Sequence, residues 1–440
     1  MKISFQNLGI IKEMQLDLSK KLTVFCGPNG TGKTYACYAV YGFINRFFRT
    51  EHSLIEWDKL MEKRLQFEPI DSTSIFSYAK EFAESYSKDI PFVFGQSTGF
   101  EDFHARLCDS ENEFFSRLKK AGLEEEVSYG NFIFRYKKDK DTDLLSLSVK
   151  DKHSIADPSI SQKEMREYLE TYLKKLLSFG FWAHSYMLPV ERNSVYTFVD
   201  ELVVNKINNL IPSNSERNRY PLPIQDTLSF AADLKQIKQI QSPYAGLADY
   251  IEKEILHGNI SISDEGALFF TPDNAPYERI RSHLTASFIK NLSSLLIYLR
   301  HLVKKDDLLI IDEPELGLHP DNQILLARIL AKMVNSGLRV LISTHSDYII
   351  RELNNLIMLS SDKINEDIIR ESGYNDQEKL DPQDIGAYLF AFEDNKENRI
   401  TVRELPVEST GFEMQSIDNV INNLNHRSMN LYYEINQTEE

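Results

Sequence analysis

Apolar and polar residues alternate through Met1–Leu18, which predicts two short strands, Lys2–Gln6 and Lys12–Asp17, joined by a turn at Asn7–Gly9. The run Leu22–Cys26 is the next predicted strand, and a helical period takes over from Thr34 to about Phe48. From about Arg49 to Lys175 the character changes. Leu54–Phe67, Ser72–Ser87 and Phe100–Ala121 are helix-like, and Val127–Tyr136 and Leu144–Val149 suggest a hairpin across Lys137–Asp143. Ser161–Leu177 is an amphipathic helix opened by a capping-box pair, Ser161 and Glu164. This region shows no sustained heptad pattern, so the expectation is an insertion without a coiled-coil arm.

Phe179–Pro189 returns to a strand-like run, followed by a helix from Val195 to about Leu210 and a polar, proline-bearing linker at Ser213–Pro223. Helices at Asp226–Ile240 and Tyr244–Leu256 and a hairpin, Asn259–Ser263 with Ala267–Thr271, come next. Leu284–Leu302 is helical from Ser287. Then strand Leu308–Ile311, helix Pro320–Asn335, strand Arg339–Ser343 and helix Asp347–Leu356 alternate with short connections, the signature of an α/β sheet. Beyond Ser361 the chain is polar, with a hairpin (Ala387–Phe392, Ile400–Leu405) and a helix from about Ser416 to Glu434.

The chain has 440 residues, too many for one ordinary domain. No apolar run reaches the roughly 18 residues of a membrane span. The N-terminus, MKISFQNLGI, has no signal-peptide pattern. The three cysteines, Cys26, Cys37 and Cys108, have no metal-ligand spacing. The expected compartment is the cytoplasm, and no membrane partner is expected. The net charge of −16 argues against a protein that coats nucleic acid, because that binding rests on Lys and Arg neutralising phosphates. A local basic groove stays open.

Three stretches carry chemistry. Gly27–Thr34, read as GPNGTGKT, lies between the predicted strand and helix, the context that makes GxxxxGK[ST] a phosphate-binding loop. Gly27, Gly30 and Gly32 let the loop, which also holds Pro28, Asn29 and Thr31, turn successive N–H groups inward on an anion. Lys33 reaches the β- and γ-phosphates, and Thr34 places a hydroxyl on Mg2+ at the positive end of the new helix. The bland alternative is a glycine-rich turn before an ordinary helix. The second stretch is LLIIDEPELGLHP, Leu308–Pro320. Asp312 and Glu313 close an apolar strand, and ligands of a parallel sheet sit beyond the strands' carboxyl ends. Asp312 is the candidate Mg2+ ligand and Glu313 the candidate base for the attacking water. Alone, the pair would be a solvated acidic turn. Third, VLISTHSDYI, Val340–Ile349, ends a strand at His345, which is placed to contact a γ-phosphate; the alternative is a capping turn with a bystanding histidine.

GPNGTGKT, DEPELGLHP, THSDYII and the N-terminal hairpin together resemble the ABC-type ATPase superfamily, in the branch of SMC-like, RecF-like and OLD-like proteins. The resemblance covers Met1–Phe48 and Phe179–Leu356 with gaps. It implies an α/β fold: an ABC-type P-loop ATPase head with an N-terminal antiparallel β subdomain, a mainly helical insertion and a small α+β C-terminal segment. The expected divisions are 1–48, 49–178, 179–258, 259–360 and 361–440. It further implies ATP and Mg2+ as ligands, Asp312 as the Walker B aspartate, Glu313 as catalytic base, His345 as switch histidine and Leu316–His319 as the D-loop. Two heads of this family sandwich two nucleotides, so a second copy of the chain is an expected partner. The signature position is Leu284–Phe288, LTASF, where Thr285 and Ser287 would meet the other copy's ATP; Ala286 and Ser287 replace two glycines and Phe288 the usual polar residue. Leu188–Ser194 resembles the P-A-E-R segment of OLD-like ATPases, which makes Glu191 and Arg192 candidates for the Q-loop role; a surface salt bridge is the competing reading.

Lys33 and Asp312 lie 312 − 33 = 279 positions apart, far more than in an ABC transporter subunit. The wording DEPELGLHP and the insertion look most like ATPases of prokaryotic anti-phage defence, the Septu-like, PARIS-like and Gabija-like proteins. The segment after His345 lacks a glutamate followed by a strand-end DxD, and no HNH-like Cys/His cluster is visible, so a nuclease effector is expected on a separate chain. The alternatives are an ATP-bound scaffold with little turnover, and a repair or recombination ATPase acting directly on DNA.

Overall fold

The predicted N-terminal hairpin forms from β1 (Lys2–Leu8) and β2 (Ile11–Asp17), antiparallel from Lys2 opposite Asp17 to Leu8 opposite Ile11. The computed structural model describes residues 1–47, 68–96, 98–120, 123–129, 132–142, 144–151, 184–196, 220–393 and 396–437. The helices expected at Leu54–Phe67 and Ser161–Leu177, most of that at Val195–Leu210 and most of the Ser213–Pro223 linker lie outside these residues.

β3 (Leu22–Cys26) is wholly buried and feeds the loop before α1 (Lys33–Phe47). Then come β4 (Glu68–Asp71), α2 (Ser72–Ser85), α3 (Ile90–Phe94), β5 (His104–Leu107), α4 (Glu111–Lys120), β6 (Leu123–Tyr129), β7 (Phe132–Lys138), β8 (Leu144–Asp151) and β9 (Ser185–Leu188). After α5 (Leu222–Ala232) and α6 (Ala245–Ile251), the strands β10 (Gly258–Ile262), β11 (Leu268–Pro272) and β12 (Ile280–Arg281) make a small antiparallel sheet. The chain continues with α7 (Ser287–Ile297), β13 (Leu308–Asp312), α8 (Pro320–Asn335), β14 (Arg339–Thr344), α9 (Asp347–Met358), a short helix Glu366–Glu371, β15 (Ile385–Glu393), β16 (Lys396–Leu405) and α10 (Gln415–Gln437).

A nine-stranded sheet organises the molecule, in the order β5-β1-β2-β16-β15-β3-β14-β13-β9. From β15 to β9 neighbouring strands are parallel, while β1 is antiparallel to both of its neighbours, β5 and β2. The parallel strands read as unbroken apolar runs because both faces are covered. Phe25, Ile310 and Leu341 enter one core with α1 and the aromatic residues Phe82, Tyr86 and Phe103, while Val24, Leu309, Ile311, Val340 and Ile342 enter the other with α7, α8 and α9. α1 is buried from Ala36 to Ile44, and a methyl on its Gly42 would lie 2.4 Å from Val93 and 2.6 Å from the Tyr86 hydroxyl.

Three expectations are corrected. Phe100–Ala121 is not one helix: Phe103 and Ala105 point inward while His104 and Arg106 are exposed, and this period-two stretch is β5, the edge strand beside β1. α4 starts afterwards, where Ser110 and Glu113 exchange reciprocal capping hydrogen bonds. Val127–Tyr136 is not one strand: Tyr129 pairs with Phe132, so the chain reverses there, and β6, β7 and β8 join β4 in a four-stranded antiparallel sheet. The C-terminal hairpin, expected in a separate segment, inserts into the main sheet: β15 lies parallel to β3, and β16 bridges to β2. No helix among the described residues is long and apolar enough to cross a membrane.

Candidate functional site

The glycine-rich loop spans the end of β3 and the start of α1, with Gly27 at φ +139°, Gly30 at +75° and Gly32 at +83°. These left-handed values are where a Cβ is disfavoured. At Gly27 packing adds a second demand, because a Cβ would lie 2.2 Å from the carbonyl oxygen of Phe390 in β15. Lys33 is buried, and its ammonium donates to the carbonyls of Gly27 and Pro28, both at 2.8 Å. Burial pushes its pKa down, opposed by the carboxylates of Glu313 and Asp312. The Thr31 hydroxyl donates to the Pro28 carbonyl at 2.8 Å, closing the loop on itself. The loop residues Asn29–Thr34 line a cleft of about 450 Å3 together with Asp312 and Glu313, which β13 carries to the same end of the sheet.

Asp312 is fully buried. One of its carboxylate oxygens accepts from the Ser343 hydroxyl, and the Thr34 hydroxyl lies beside the same carboxylate. The other oxygen, Oδ2, is buried with no hydrogen-bond partner. Burial raises the Asp312 pKa, and the two hydroxyls and the Arg192 charge oppose the rise. An orphan carboxylate oxygen next to a threonine hydroxyl suits a hard cation, so Asp312 and Thr34 fit Mg2+.

Glu313 lies in the left-handed region at φ +48°. Its N–H donates to the Ser343 carbonyl at 3.0 Å, and its own carbonyl accepts from the Arg192 guanidinium at 2.8 Å. Arg192 also donates to the carbonyls of Asp312 at 2.7 Å and Pro189 at 2.9 Å. It is buried, which brings its pKa down to about 10 against the pull of Asp312, Glu315 and Glu313. Arg192 therefore grips the backbone behind the two carboxylates and does not line the cleft. Glu191 is exposed, accepts from the Tyr38 hydroxyl at 3.4 Å, and is also outside the cleft lining.

His345 follows β14 and is about half exposed, with Nδ1 3.9 Å from Glu313 Oε1 and 3.4 Å from Glu315 Oε1. The structure thus gathers the glycine-rich loop, Lys33, Thr34, Asp312 and Glu313 around one cleft, with His345 beside Glu313. Thr285 and Ser287 do not join them. Ser287 is exposed as the first residue of α7, whose N-cap is Ala286 and has no side-chain cap. Thr285 does not cap this helix; its hydroxyl donates back to the Ser282 carbonyl at 2.6 Å. Asn291 of α7 donates to the Leu316 carbonyl at 2.7 Å, tying the expected D-loop to the expected signature helix.

Sequence reasoning missed the wall formed by Gly9, Ile10 and Tyr35. The available signal was the turn glycine Gly9, where a Cβ would lie 3.2 Å from the Tyr35 ring. It also missed Ser343, which donates to Asp312, and Glu315, which accepts from the His345 N–H.

The family model described as AAA ATPase domain matches residues 1–350. No curated protein matches the chain. Among solved structures, the SMC head domain from Thermotoga maritima is similar at 11% identity and TM-score 0.32, over 92% of this chain and 98% of that one. The SmcHead bound to the C-winged helix domain of ScpA is similar at 10% identity and TM-score 0.37, over 92% and 97%. The Smc head domain with an extended coiled coil, bound to the C-terminal domain of ScpA derived from Pyrococcus furiosus, is similar at 10% identity and TM-score 0.35, over 96% and 98%.

Proposed function

The chain belongs to the AAA ATPase domain family, and on that premise we propose that it binds ATP with Mg2+ in the cleft, closes on a second copy of itself, and uses hydrolysis to control a separate effector, a nuclease acting in phage defence. The observation that carries the hydrolytic reading is the convergence of Lys33, Thr34, Asp312 and Glu313 on one cleft, with His345 3.9 Å from Glu313.

The loop amides hold the phosphates, and Lys33 exchanges the Gly27 and Pro28 carbonyls for phosphate oxygens. When bound, Mg2+ held by Asp312 and Thr34 neutralises phosphate charge. Glu313 takes a proton from the attacking water, and Arg192 and Ser343 fix the backbone from which it acts. Catalysis is positioning plus electrostatic stabilisation of the transferring phosphoryl group. The exposed start of α7, with Thr285 and Ser287, is the surface that a second copy's nucleotide would meet. The effector role rests on the resemblance of DEPELGLHP and its surroundings to defence ATPases.

The test is Glu313→Gln. It is expected to bind ATP as the wild type does, to lower turnover by about 100-fold or more, and to run as an ATP-dependent dimer in size-exclusion chromatography. Wild-type turnover in this variant would remove Glu313 as the base. A second reading, an ATP-bound scaffold that holds a partner, draws on Thr285, whose hydroxyl is already engaged by Ser282. Bound ATP with turnover no greater than that of Lys33→Ala would select it.

A further inference from the structure

Glu315 is buried, at 5% exposure, and does not line the cleft. Its Oε1 accepts from the Thr344 hydroxyl at 2.7 Å and from the His345 N–H at 2.9 Å, and lies 3.4 Å from His345 Nδ1. Its Oε2 is buried without a hydrogen-bond partner. Leaving a buried carboxylate oxygen unpaired is costly, and capping a turn requires only one acceptor, which a neutral amide supplies. The negative charge therefore needs another reason.

That reason lies in the imidazole. Nδ1 of His345 faces two carboxylate oxygens, Glu315 Oε1 and, further off, Glu313 Oε1. Ionised carboxylates only accept, so the nitrogen facing them carries the proton, and the partner of one ring nitrogen fixes the state of the other. We propose that Glu315 is the positioning residue of His345: it pins the turn after β14 and holds the ring with Nδ1 protonated, so that Nε2 is presented to the γ-phosphate side of the cleft. The turn is braced further. Thr344 accepts from the Ser346 N–H at 3.0 Å, the Ser346 hydroxyl donates to Gln323 at 2.6 Å, and Gln323 donates to the Leu318 carbonyl at 2.9 Å. Leu318 N–H in turn donates to the Glu315 carbonyl at 2.9 Å, which closes the circuit.

This inference rests on the ATPase reading for its kinetic consequences alone; the state of the imidazole can be observed without turnover. The variant is Glu315→Gln, whose amide oxygen still accepts from Thr344 and His345. Nitrogen-15 spectra of labelled histidine, with His345 assigned by His345→Gln, are expected to show Nδ1 protonated in the wild type and a different tautomer balance in Glu315→Gln. Turnover is expected to fall about tenfold or more, as for other partners that orient a functional histidine, with affinity for a fluorescent ATP analogue unchanged. Glu315→Gln added to His345→Gln is expected to cost nothing further. Unchanged His345 spectra, or losses that multiply in the double variant, overturn the proposal. If Glu315→Gln does not fold, Nε2-protonated His345 in the wild-type spectrum overturns it by itself. A wild type without ATP turnover would defeat the ATPase reading and leave the spectra to decide this one.

Discussion

Burial lifts the pKa of Asp312 above that of an exposed aspartate, and the Ser343 and Thr34 hydroxyls offset only part of the rise. A carboxyl whose folded value is raised stabilises the fold fully below its unfolded value, and that contribution is lost as pH rises through the folded value. At neutral pH the ionised group, with Oδ2 unpaired, is a local liability kept for its chemistry. Asp312→Asn is therefore expected to abolish turnover yet raise Tm by a few degrees at pH 7 to 8, with the gain vanishing below about pH 4; thermal unfolding across a pH series checks this. Glu313 carries strain of another kind. Its φ of +48° costs a non-glycine residue about 1–2 kcal/mol. Glu313→Gly is expected to be more stable than Glu313→Ala by about 1 kcal/mol in denaturant titrations, with both inactive. The sequence made both carboxylates legible, because a four-residue apolar strand ending in Asp-Glu is a local pattern. The Glu313 backbone conformation was not, since its carbonyl is held by Arg192 from 121 positions upstream.

At the scale of elements, the phosphate loop and the C-terminal hairpin constrain each other. Read from sequence, Gly27 and Gly30 are equivalent loop glycines. In the structure Gly30 has nothing within 4 Å of a built Cβ, whereas Gly27 would drive a methyl into the Phe390 carbonyl. Gly30→Ala pays the left-handed penalty, about 1 kcal/mol. Gly27→Ala must in addition part β15 from β3 at the Phe390 end, so calorimetry is expected to show a clearly larger fall in Tm for Gly27→Ala. The legible elements were those whose period fills the whole segment, such as α8, whose limits Pro320 and Asn335 were read directly from the chain. β5 escaped because its four residues sit between aromatic stretches with helical spacing, and β6 and β7 because their reversal falls inside one polar and aromatic run.

For the whole molecule, the sheet is continuous only because the chain's far end returns to its beginning. β15 and β16 join the strand before the phosphate loop to the N-terminal hairpin, and the Tyr388 hydroxyl accepts from the Asp17 N–H, 371 positions away. No local pattern encodes such a pairing, which is why residues 361–440 read as a separate segment. α10 behaves differently: its residues 422–435 are all exposed, so it adds little to the core, while Phe412 and Met414 just before it are buried. Two truncations separate these cases. Ending the chain after Met414 removes α10 alone and is expected to leave Tm and ATP-analogue affinity unchanged. Ending it after Ser361 removes β15 and β16, leaves β3 with an unpaired apolar edge in mid-sheet, and divides the seven remaining strands into a group of three and a group of four. Exposed edges of that composition aggregate, so the shorter chain is expected to be insoluble and unable to bind ATP. A soluble, ATP-binding chain ending at Ser361 would mean that the phosphate loop is held without β15, and the interpretation of Gly27 would fall with it.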